Sequence, residues 1–366
     1  MKELIQNHPG EKDVQPRYNP NDGNAAASGW AFFVLACIPA IITYAVLNRL
    51  KEIDKIETWM YYVGLLLALA FGALLGRFFV QKITRRRITE QRKYYKCYEA
   101  QWLSEEKREA LQLDAPDGYQ YGEWMETLEY WPCEVRGVRP ADFKTFLVTT
   151  KEERLMGNDQ CWGVLSEQSY NEIIERLFNG MHSRFFAADK TLMEVNARQK
   201  MISRIAELTQ LPEDYAQACW QQRDNRPPQL FWGFDLNRII ELSRTSFMAG
   251  LISEETAWKN ILKSSAYIHA LFDDIDNYYN NFRLGHAYWS NDFKLTSEKL
   301  KGHKAYADEC DWPIKKISWH KNKPDILPEV IQKGCEEFVA FETRKNQHNT
   351  IKGFQQGSNP DSDVMV

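Results

Sequence analysis

The chain has 366 residues, of which 26% are charged and 44% hydrophobic, and its formal net charge is −4. Its mean hydropathy of −0.53 is typical of a soluble protein. The hydrophobic content excludes a disordered or collagen-like chain, because such chains lack the apolar side chains that a packed core needs. The average, however, combines two uncharged apolar stretches near the N-terminus with a polar remainder.

The N-terminal region predicts a membrane hairpin. Residues 1–27 are rich in Asn, Pro, Gly and Ala without apolar periodicity, so we expect a disordered tail. The stretches Trp30–Leu47 and Thr58–Gly76 then contain no charged residue. A helix of about 19 residues rises about 28 Å, which is enough to cross the hydrocarbon core of a bilayer. A cleaved signal peptide would be shorter and would have no second span directly after it. We therefore expect a transmembrane hairpin over 28–80. Its predicted helices cover about 29–48 and 58–80.

Basic residues are distributed unevenly around the two apolar stretches. The tail and the connection between the spans carry three Lys+Arg each, whereas residues 81–96 carry seven. Because Lys and Arg are enriched on the cytoplasmic side of membrane helices, the N-terminus and everything from residue 81 onward are expected in the cytoplasm. The seven cysteines are scattered and form no CxxC motif, which is typical of a reducing compartment.

Residues 81–103 predict a basic juxtamembrane helix. Its consecutive arginines, Arg85, Arg86 and Arg87, are candidates for contact with anionic lipid head groups, at about 1 kcal/mol per basic residue. The alternative is an ordinary topology signal that retains this flank in the cytoplasm. Residues 97–366 carry 32 Lys+Arg against 42 Asp+Glu, a net charge of −10. Such a domain repels phosphate backbones, so no nucleic-acid partner is expected.

Small residues recur at every fourth position of the second span, at Gly64, Ala68, Gly72 and Gly76. A stripe of this kind allows two helix backbones to approach closely within a bilayer. It is expected to pack either against the first helix of the same hairpin or against a second copy of the chain, as a homodimer.

Residues 104–345 predict a helical cytoplasmic domain, so the fold class is mainly α. The strongest helical hairpin covers 234–270, where Gly250 ends one helix and Ser253 begins the next. A small β element is allowed at Tyr130–Val138 and Phe143–Thr149, where the apolar pattern is mixed. Residues 346–366 are polar and are expected to form a disordered tail.

A succession of motifs in this domain resembles a known bacterial family. The motifs include Trp162-Gly163, Trp232-Gly233-Phe234-Asp235, Glu255 with Ala257-Trp258, and Leu284-Gly285. Over about 160–320 the chain is similar to the family catalogued as "domain of unknown function 1266". The positions of the family pattern are Trp162, Gly163, Trp232, Asp235, Arg238, Arg244, Gly250, Glu255, Trp258, Gly285 and Trp289. The chain departs from this pattern at Gly180-Met181-His182 and at Asp276-Asn277. The resemblance implies an α-helical fold and a bacterial origin, but no reaction.

The candidate polar site lies on one predicted helix. Asp235, Arg238, Glu241 and Arg244 recur every three residues with alternating sign. They could place an acid between guanidinium groups, which would suit an anionic substrate. Helical geometry favours a solvated ladder of i,i+3 ion pairs instead, because the apolar side chains lie on the opposite face. Asp235 and Arg244 fall at the edges of that face and could be half-buried.

Other motifs do not point to a cofactor or a metal. The seven histidines are widely spread, and neither HExxH nor a zinc-type Cys/His spacing occurs. The sequence Asp273-Asp274-Ile275-Asp276 lacks the DDxxD spacing of magnesium sites and is better explained as a helix start. Ten of the twelve tryptophans lie beyond residue 100. We expect Trp232, Trp258, Trp289 and Trp319 to pack between helices, and a groove for a partner is the alternative.

These observations lead to one main hypothesis and two alternatives. The main hypothesis is a bacterial inner-membrane protein whose cytoplasmic helical domain binds an unidentified protein partner rather than catalysing a reaction. The first alternative is an enzyme or toxin-like effector that acts on an anionic substrate through Asp235, Arg238 and Arg244. The second is an immunity or stress-associated membrane protein.

Overall fold

The structure is a computed structural model in which most of the chain is described. The described residues are 25–53, 55–84, 90, 93–94, 96–98, 103–139, 143, 148–223, 225–310, 313–319 and 327–357. They form fifteen α-helices and no strand, which confirms the mainly α fold. The helices are α1 (Ala25–Glu52), α2 (Thr58–Thr84), α3 (Glu105–Gln112), α4 (Ala115–Gln120), α5 (Lys151–Trp162), α6 (Glu167–Phe178), α7 (Ser183–Leu192), α8 (Val195–Thr209), α9 (Glu213–Ala218), α10 (Trp232–Met248), α11 (Glu254–Leu271), α12 (Ile275–Ser290), α13 (Phe293–Glu309), α14 (Glu329–Gln332) and α15 (Glu336–Gly357). The predicted lipid contacts Arg85, Arg86 and Arg87 lie outside the described residues.

The region in which the sequence allows a small β element contains a single parallel bridge between Cys133 and Thr149. A 3-10 turn at Glu134–Arg136 follows directly and ends at Gly137, which has a φ of 67°. Because the chain turns after one extended residue, no strand forms among the described residues of this region.

Helices α1 and α2 form the N-terminal hairpin. The segments Phe32–Glu52 and Thr58–Phe79 are long and apolar enough to cross a membrane. Large apolar side chains, such as Leu66 and Leu74, are 69% and 67% exposed on the outside of the hairpin. Exposure of so many apolar side chains is unfavourable in water and is what a bilayer would cover.

The small-residue stripe of α2 faces α1. A Cβ atom added at Gly72 would lie 2.3 Å from the carbonyl oxygen of Ala36, and one at Gly76 would lie 2.9 Å from the ring of Phe32. Ala68, one turn before Gly72, is 8% exposed. The stripe therefore allows the two helices of the hairpin to approach closely. This favours packing against the first helix of the same hairpin over packing against a second copy of the chain.

Helix α10 forms the centre of the helical domain that follows the hairpin, and it contacts α5, α6, α11 and α12. All of its residues are buried except Arg238, Glu241 and Thr245, which are partly exposed. The predicted apolar face is therefore present, but the buried surface extends much further around the helix. The reason is that residues 113–130 cover a face that helical geometry alone leaves open.

Two glycines allow α10 and α12 to lie in close contact. A Cβ atom at Gly285 would lie 2.4 Å from Cβ of Phe234, and one at Gly233 would lie 2.7 Å from Oδ1 of Asn281. Trp232 and Trp258 are buried in the core as expected, and Trp319 packs against it. Trp289 differs from this expectation, because it is 56% exposed.

Several helices begin or end where the sequence predicts, whereas the first and the last helix extend into the predicted tails. Ser253 Oγ accepts a hydrogen bond from the N–H of Thr256, and Gly250 has a φ of 69° after α10. Helix α15 continues to Gly357, past residue 345, and α1 begins at Ala25 within the predicted tail. Polar sequence alone does not end a helix when its residues have helical propensity.

Two Gly→Ala substitutions should have opposite effects on stability, because Gly285 lies in the contact between α10 and α12 whereas Gly157 has open space around it. Gly285→Ala should lower the stability of the full chain in detergent micelles by about 1–3 kcal/mol, because the new methyl group overlaps Phe234. Gly157→Ala is the control: nothing lies within 4 Å of that position in α5. It should raise stability by about 0.5–1 kcal/mol. Thermal unfolding followed by circular dichroism measures both, and equal melting temperatures for Gly285→Ala and wild type would contradict the packing.

Candidate functional site

Asp235 lies in the first turn of α10, and its side chain is completely buried. Its carboxylate accepts hydrogen bonds from the backbone N–H groups of His182 (3.0 Å) and Ser183 (2.9 Å) and from the hydroxyl of Ser183 (2.7 Å). Nδ1 of His182 lies 2.7 Å from Oδ1 of Asp235. These amides form the N-terminus of α7, whose dipole favours a negative charge. Asp235 therefore caps α7 from a different helix.

Arg244 lies near the other end of α10 and is also completely buried. Its Nη1 lies 2.8 Å from Oδ2 of Asp114, which also accepts a hydrogen bond from the hydroxyl of Tyr130. The guanidinium lies 3.6 Å from the centroid of the Tyr130 ring. Its other N–H groups donate to the backbone carbonyls of Trp124, Thr127 and Leu128. The side chain is thus fully used in holding residues 114–130 against α10.

The structure does not bring Asp235, Arg238 and Arg244 together. Nine residues of a helix span about 13 Å, and the two buried residues face different neighbouring elements. The predicted ladder of i,i+3 ion pairs is shorter than expected. Among the four residues it consists of the single pair Arg238–Glu241, because Asp235 contacts α7 and Arg244 pairs with Asp114 instead. Helical geometry could not show that these other elements cover α10.

The third candidate residue, Arg238, belongs to a half-buried group of four charged side chains, which we call the Arg238 cluster. It contains the ion pairs Arg238–Glu241 and Lys299–Asp117, whose side chains are between 13% and 31% exposed. Burial alone would lower the pKa of Lys299, but the carboxylate of Asp117 raises it above its ordinary value. The cluster therefore contains two cations and two anions and has no net charge.

His286 and Trp289 of α12 adjoin the Arg238 cluster. His286 is 3% exposed, and its Nδ1 has no hydrogen-bond partner among the described residues. Burial, followed by the positive charges of Lys299 and Arg238, lowers the pKa of His286 to about 3. The imidazole is therefore neutral near pH 7 and is poorly suited to general acid–base catalysis there. The ring of Trp289 lies 6.3 Å from that of Phe234 and 6.0 Å from that of His286.

Sequence reasoning missed a set of buried polar residues that precedes the resembling region. They are Glu109, Gln112, Asp114, Glu126, Thr127 and Glu129. Burial raises the pKa of Glu126 to about 7. Burial, together with the negative charge of Asp114, raises that of nearby Glu123 to about 8. Such shifts are frequent at functional sites, but ion-pair networks produce them too. No motif marks these residues, because Asp114 and Arg244 are 130 positions apart.

The connection from the hairpin is held against the domain by Tyr94. Its hydroxyl donates to Glu129 (2.9 Å), and its ring lies 5.3 Å from that of Trp124. Arg136 then joins Glu129 (3.0 Å) to Glu254 (2.7 Å) at the start of α11. This chain of contacts links the juxtamembrane segment to the centre of the domain.

Among the described residues, no group of three or more His, Cys, Asp or Glu side chains could hold a metal ion. A cavity lies elsewhere, beside α7. It has about 430 Å³ and is lined by Asn179, Arg184 and residues 328–338. The observed candidate sites are therefore the Arg238 cluster with Trp289 and this cavity.

The fold and these sites define a helical domain attached to two helices that could span a membrane. Residues 159–319 match the model of the family described as "Protein of unknown function (DUF1266)". It is also similar to the inner membrane protein YnjI of Escherichia coli K12, with 28% identity over 352 residues, covering 87% of this chain and 97% of the relative. No solved structure matches the chain significantly. The family match confirms the resemblance, and the relative supports association with a membrane.

The buried pair Arg244–Asp114 predicts a strong stability effect. Arg244→Met should lower the stability of the full chain by about 3–5 kcal/mol, because it leaves the charge of Asp114 buried and unpaired. The double variant Arg244→Met/Asp114→Asn should be more stable than Arg244→Met, since it removes that charge. Arg204→Met is the control, because Arg204 is half-exposed and makes a surface ion pair. Thermal unfolding in detergent measures all three, and a wild-type melting temperature for Arg244→Met would exclude the proposed role of the pair.

Proposed function

We propose that this protein is anchored in the bacterial inner membrane by the hairpin α1–α2 and acts in the cytoplasm by binding a partner protein. In this arrangement residues 104–345 form the cytoplasmic domain, and both chain ends lie on the cytoplasmic side. Three observations support the anchor: the two apolar helices, the name of the E. coli relative, and the seven Lys+Arg of residues 81–96.

The orientation predicts which cysteines react with a membrane-impermeant maleimide. Cys161 is exposed on α5, and Lys55 is exposed in the connection between α1 and α2. In intact spheroplasts, Cys161 should remain unlabelled until the membrane is permeabilised. A cysteine introduced by Lys55→Cys should be labelled at once. Mass spectrometry locates the label, and labelling of Cys161 before permeabilisation would reverse the proposed topology.

Partner binding rests on one observation, an exposed apolar corner between α12 and α13. We define the α12–α13 corner by Trp289, Phe293 and Leu295, which are 56%, 65% and 42% exposed. Asn291, in the left-handed region with a φ of 44°, ends α12, and Asp292 caps α13 by accepting from the N–H of Leu295 (2.8 Å). The corner is therefore held in a defined conformation. Clustered exposed aromatic residues are typical of interface hot spots.

The surroundings of the corner also suit an interface. The ring of Trp289 lies 6.3 Å from that of Phe234, and the guanidinium of Arg238 lies 5.0 Å from the same Phe234 ring. Phe234 therefore connects the apolar corner to a half-buried group of balanced charges. Protein interfaces commonly combine an aromatic core with a polar rim. The enzyme alternative has less support, because the carboxylate of Asp235 and the guanidinium of Arg244 are sealed from solvent and His286 is neutral. The immunity and stress hypotheses concern the process in which the protein acts and stay predictions.

Site-specific photo-crosslinking in cells tests the corner. A benzoyl-phenylalanine at Phe293 of the full chain should give a discrete adduct with another protein, and Trp289→Ala should weaken that adduct. The same probe at Val195, which is 69% exposed at the start of α8, is the control and should not give it. An absent adduct at position 293, or the same adducts from both positions, would contradict partner binding at the corner. An adduct of two copies of this chain would identify the partner as the protein itself.

A further inference from the structure

The cavity beside α7 lies where several helix ends meet. Asn179 ends α6, Arg184 belongs to the first turn of α7, and residues 328–338 include α14 and the start of α15. Its volume of about 430 Å³ is within the range of small-molecule sites. The cavity is distant in sequence from the α12–α13 corner, and the inference drawn from it does not depend on the proposed partner.

Arg184 is the unusual side chain of this cavity. Its Nε is buried and has no hydrogen-bond acceptor, and no carboxylate pairs with it among the described residues. Arg238 and Arg244, by contrast, each pair with a carboxylate. A buried donor without an acceptor costs about 1–3 kcal/mol. The protein therefore retains an unfavourable group at the wall of a cavity.

Two aromatic rings hold the guanidinium of Arg184 in place. It lies 5.2 Å from the ring centroid of Phe185 and 4.9 Å from that of Phe338. The two rings are themselves in edge-to-face contact, with centroids 5.2 Å apart. Aromatic contacts orient a guanidinium without using its N–H groups. The donors of Arg184 consequently remain available for an acceptor in the cavity.

The cavity is also lined by Lys333 and by three carboxylates, Glu329, Glu336 and Glu337. Glu329 pairs with Lys333, and Glu336 and Glu337 are exposed in the first turn of α15, where the helix dipole stabilises them. Burial raises the pKa of Cys335 to about 12, so its thiol is neutral. The first amides of α7 are occupied by Asp235. Arg184 is thus the lining cation without a carboxylate partner among the described residues, and the unpaired carboxylates Glu336 and Glu337 are exposed, where water screens their charge.

We propose that the cavity binds a small organic carboxylate. Its carboxylate group pairs with Arg184, whose planar fork matches the two oxygens, and its apolar part packs against Phe338. Asn179 supplies an additional amide at the wall. The site is one of recognition, because the neutral thiol of Cys335 is not activated as a nucleophile.

Fluorine NMR with para-fluorobenzoate tests the proposal on the full chain in detergent micelles. The probe should bind with a dissociation constant of about 1 mM or lower, as expected for a fragment of few atoms. Arg184→Gln should weaken binding at least about tenfold, since it removes the charged fork. Arg204→Gln, at an exposed arginine of the neighbouring helix α8, is the matched control and should leave binding unchanged. The neutral probe para-fluorobenzamide should not bind.

Each remaining outcome overturns the proposal. These outcomes are no binding of para-fluorobenzoate to the folded wild type, equal binding by Arg184→Gln, or equal binding of para-fluorobenzamide. Inorganic phosphate that displaces the probe at lower concentration would replace the carboxylate by a phosphate ligand. If Arg184→Gln does not fold, Arg184→Lys decides, because it retains the charge without the fork. Its affinity should fall about fivefold, and a wild-type affinity would contradict the role of Arg184.

Discussion

The arrangement of the domain depends on the contacts that the guanidinium of Arg244 makes with residues 114–130. It is completely buried, pairs with Asp114, donates to three backbone carbonyls and lies against the ring of Tyr130. These contacts fix residues 114–130 on a face of α10 that would otherwise be open to water. A buried cation is tolerated when its donors are satisfied and a counter-charge is present, so the segment and the helix require each other.

Polar contacts also connect the elements around α10. Asp235 caps α7, which brings that helix and the cavity at Arg184 to the N-terminal end of α10. On the other side of α10, Tyr94 contacts Glu129, which is joined through Arg136 to α11. The segment that follows the hairpin is therefore attached to the core. A displacement of the hairpin would therefore act on the same residues that cover α10.

The domain presents two chemically different sites. The α12–α13 corner is an apolar surface beside balanced ion pairs, which suits a protein partner. The cavity at Arg184 is concave and contains a cation that has no carboxylate partner among the described residues, which suits a small anion. Because they involve different helices, a protein partner and a small ligand could bind at the same time.

The amino-acid sequence by itself determined the features that depend on neighbouring residues. Two uncharged stretches define the hairpin, Ser253 and Gly250 mark helix ends, and the spacing of apolar residues defines one face of α10. Tertiary structure alone decided the partners of Asp235 and Arg244, which lie 53 and 130 positions away in the chain. It also decided that Trp232 is buried whereas Trp289 is exposed. The physical reason is that helix formation and membrane insertion respond to local composition. Burial of a charge, by contrast, depends on which distant groups come within about 3 Å to satisfy it.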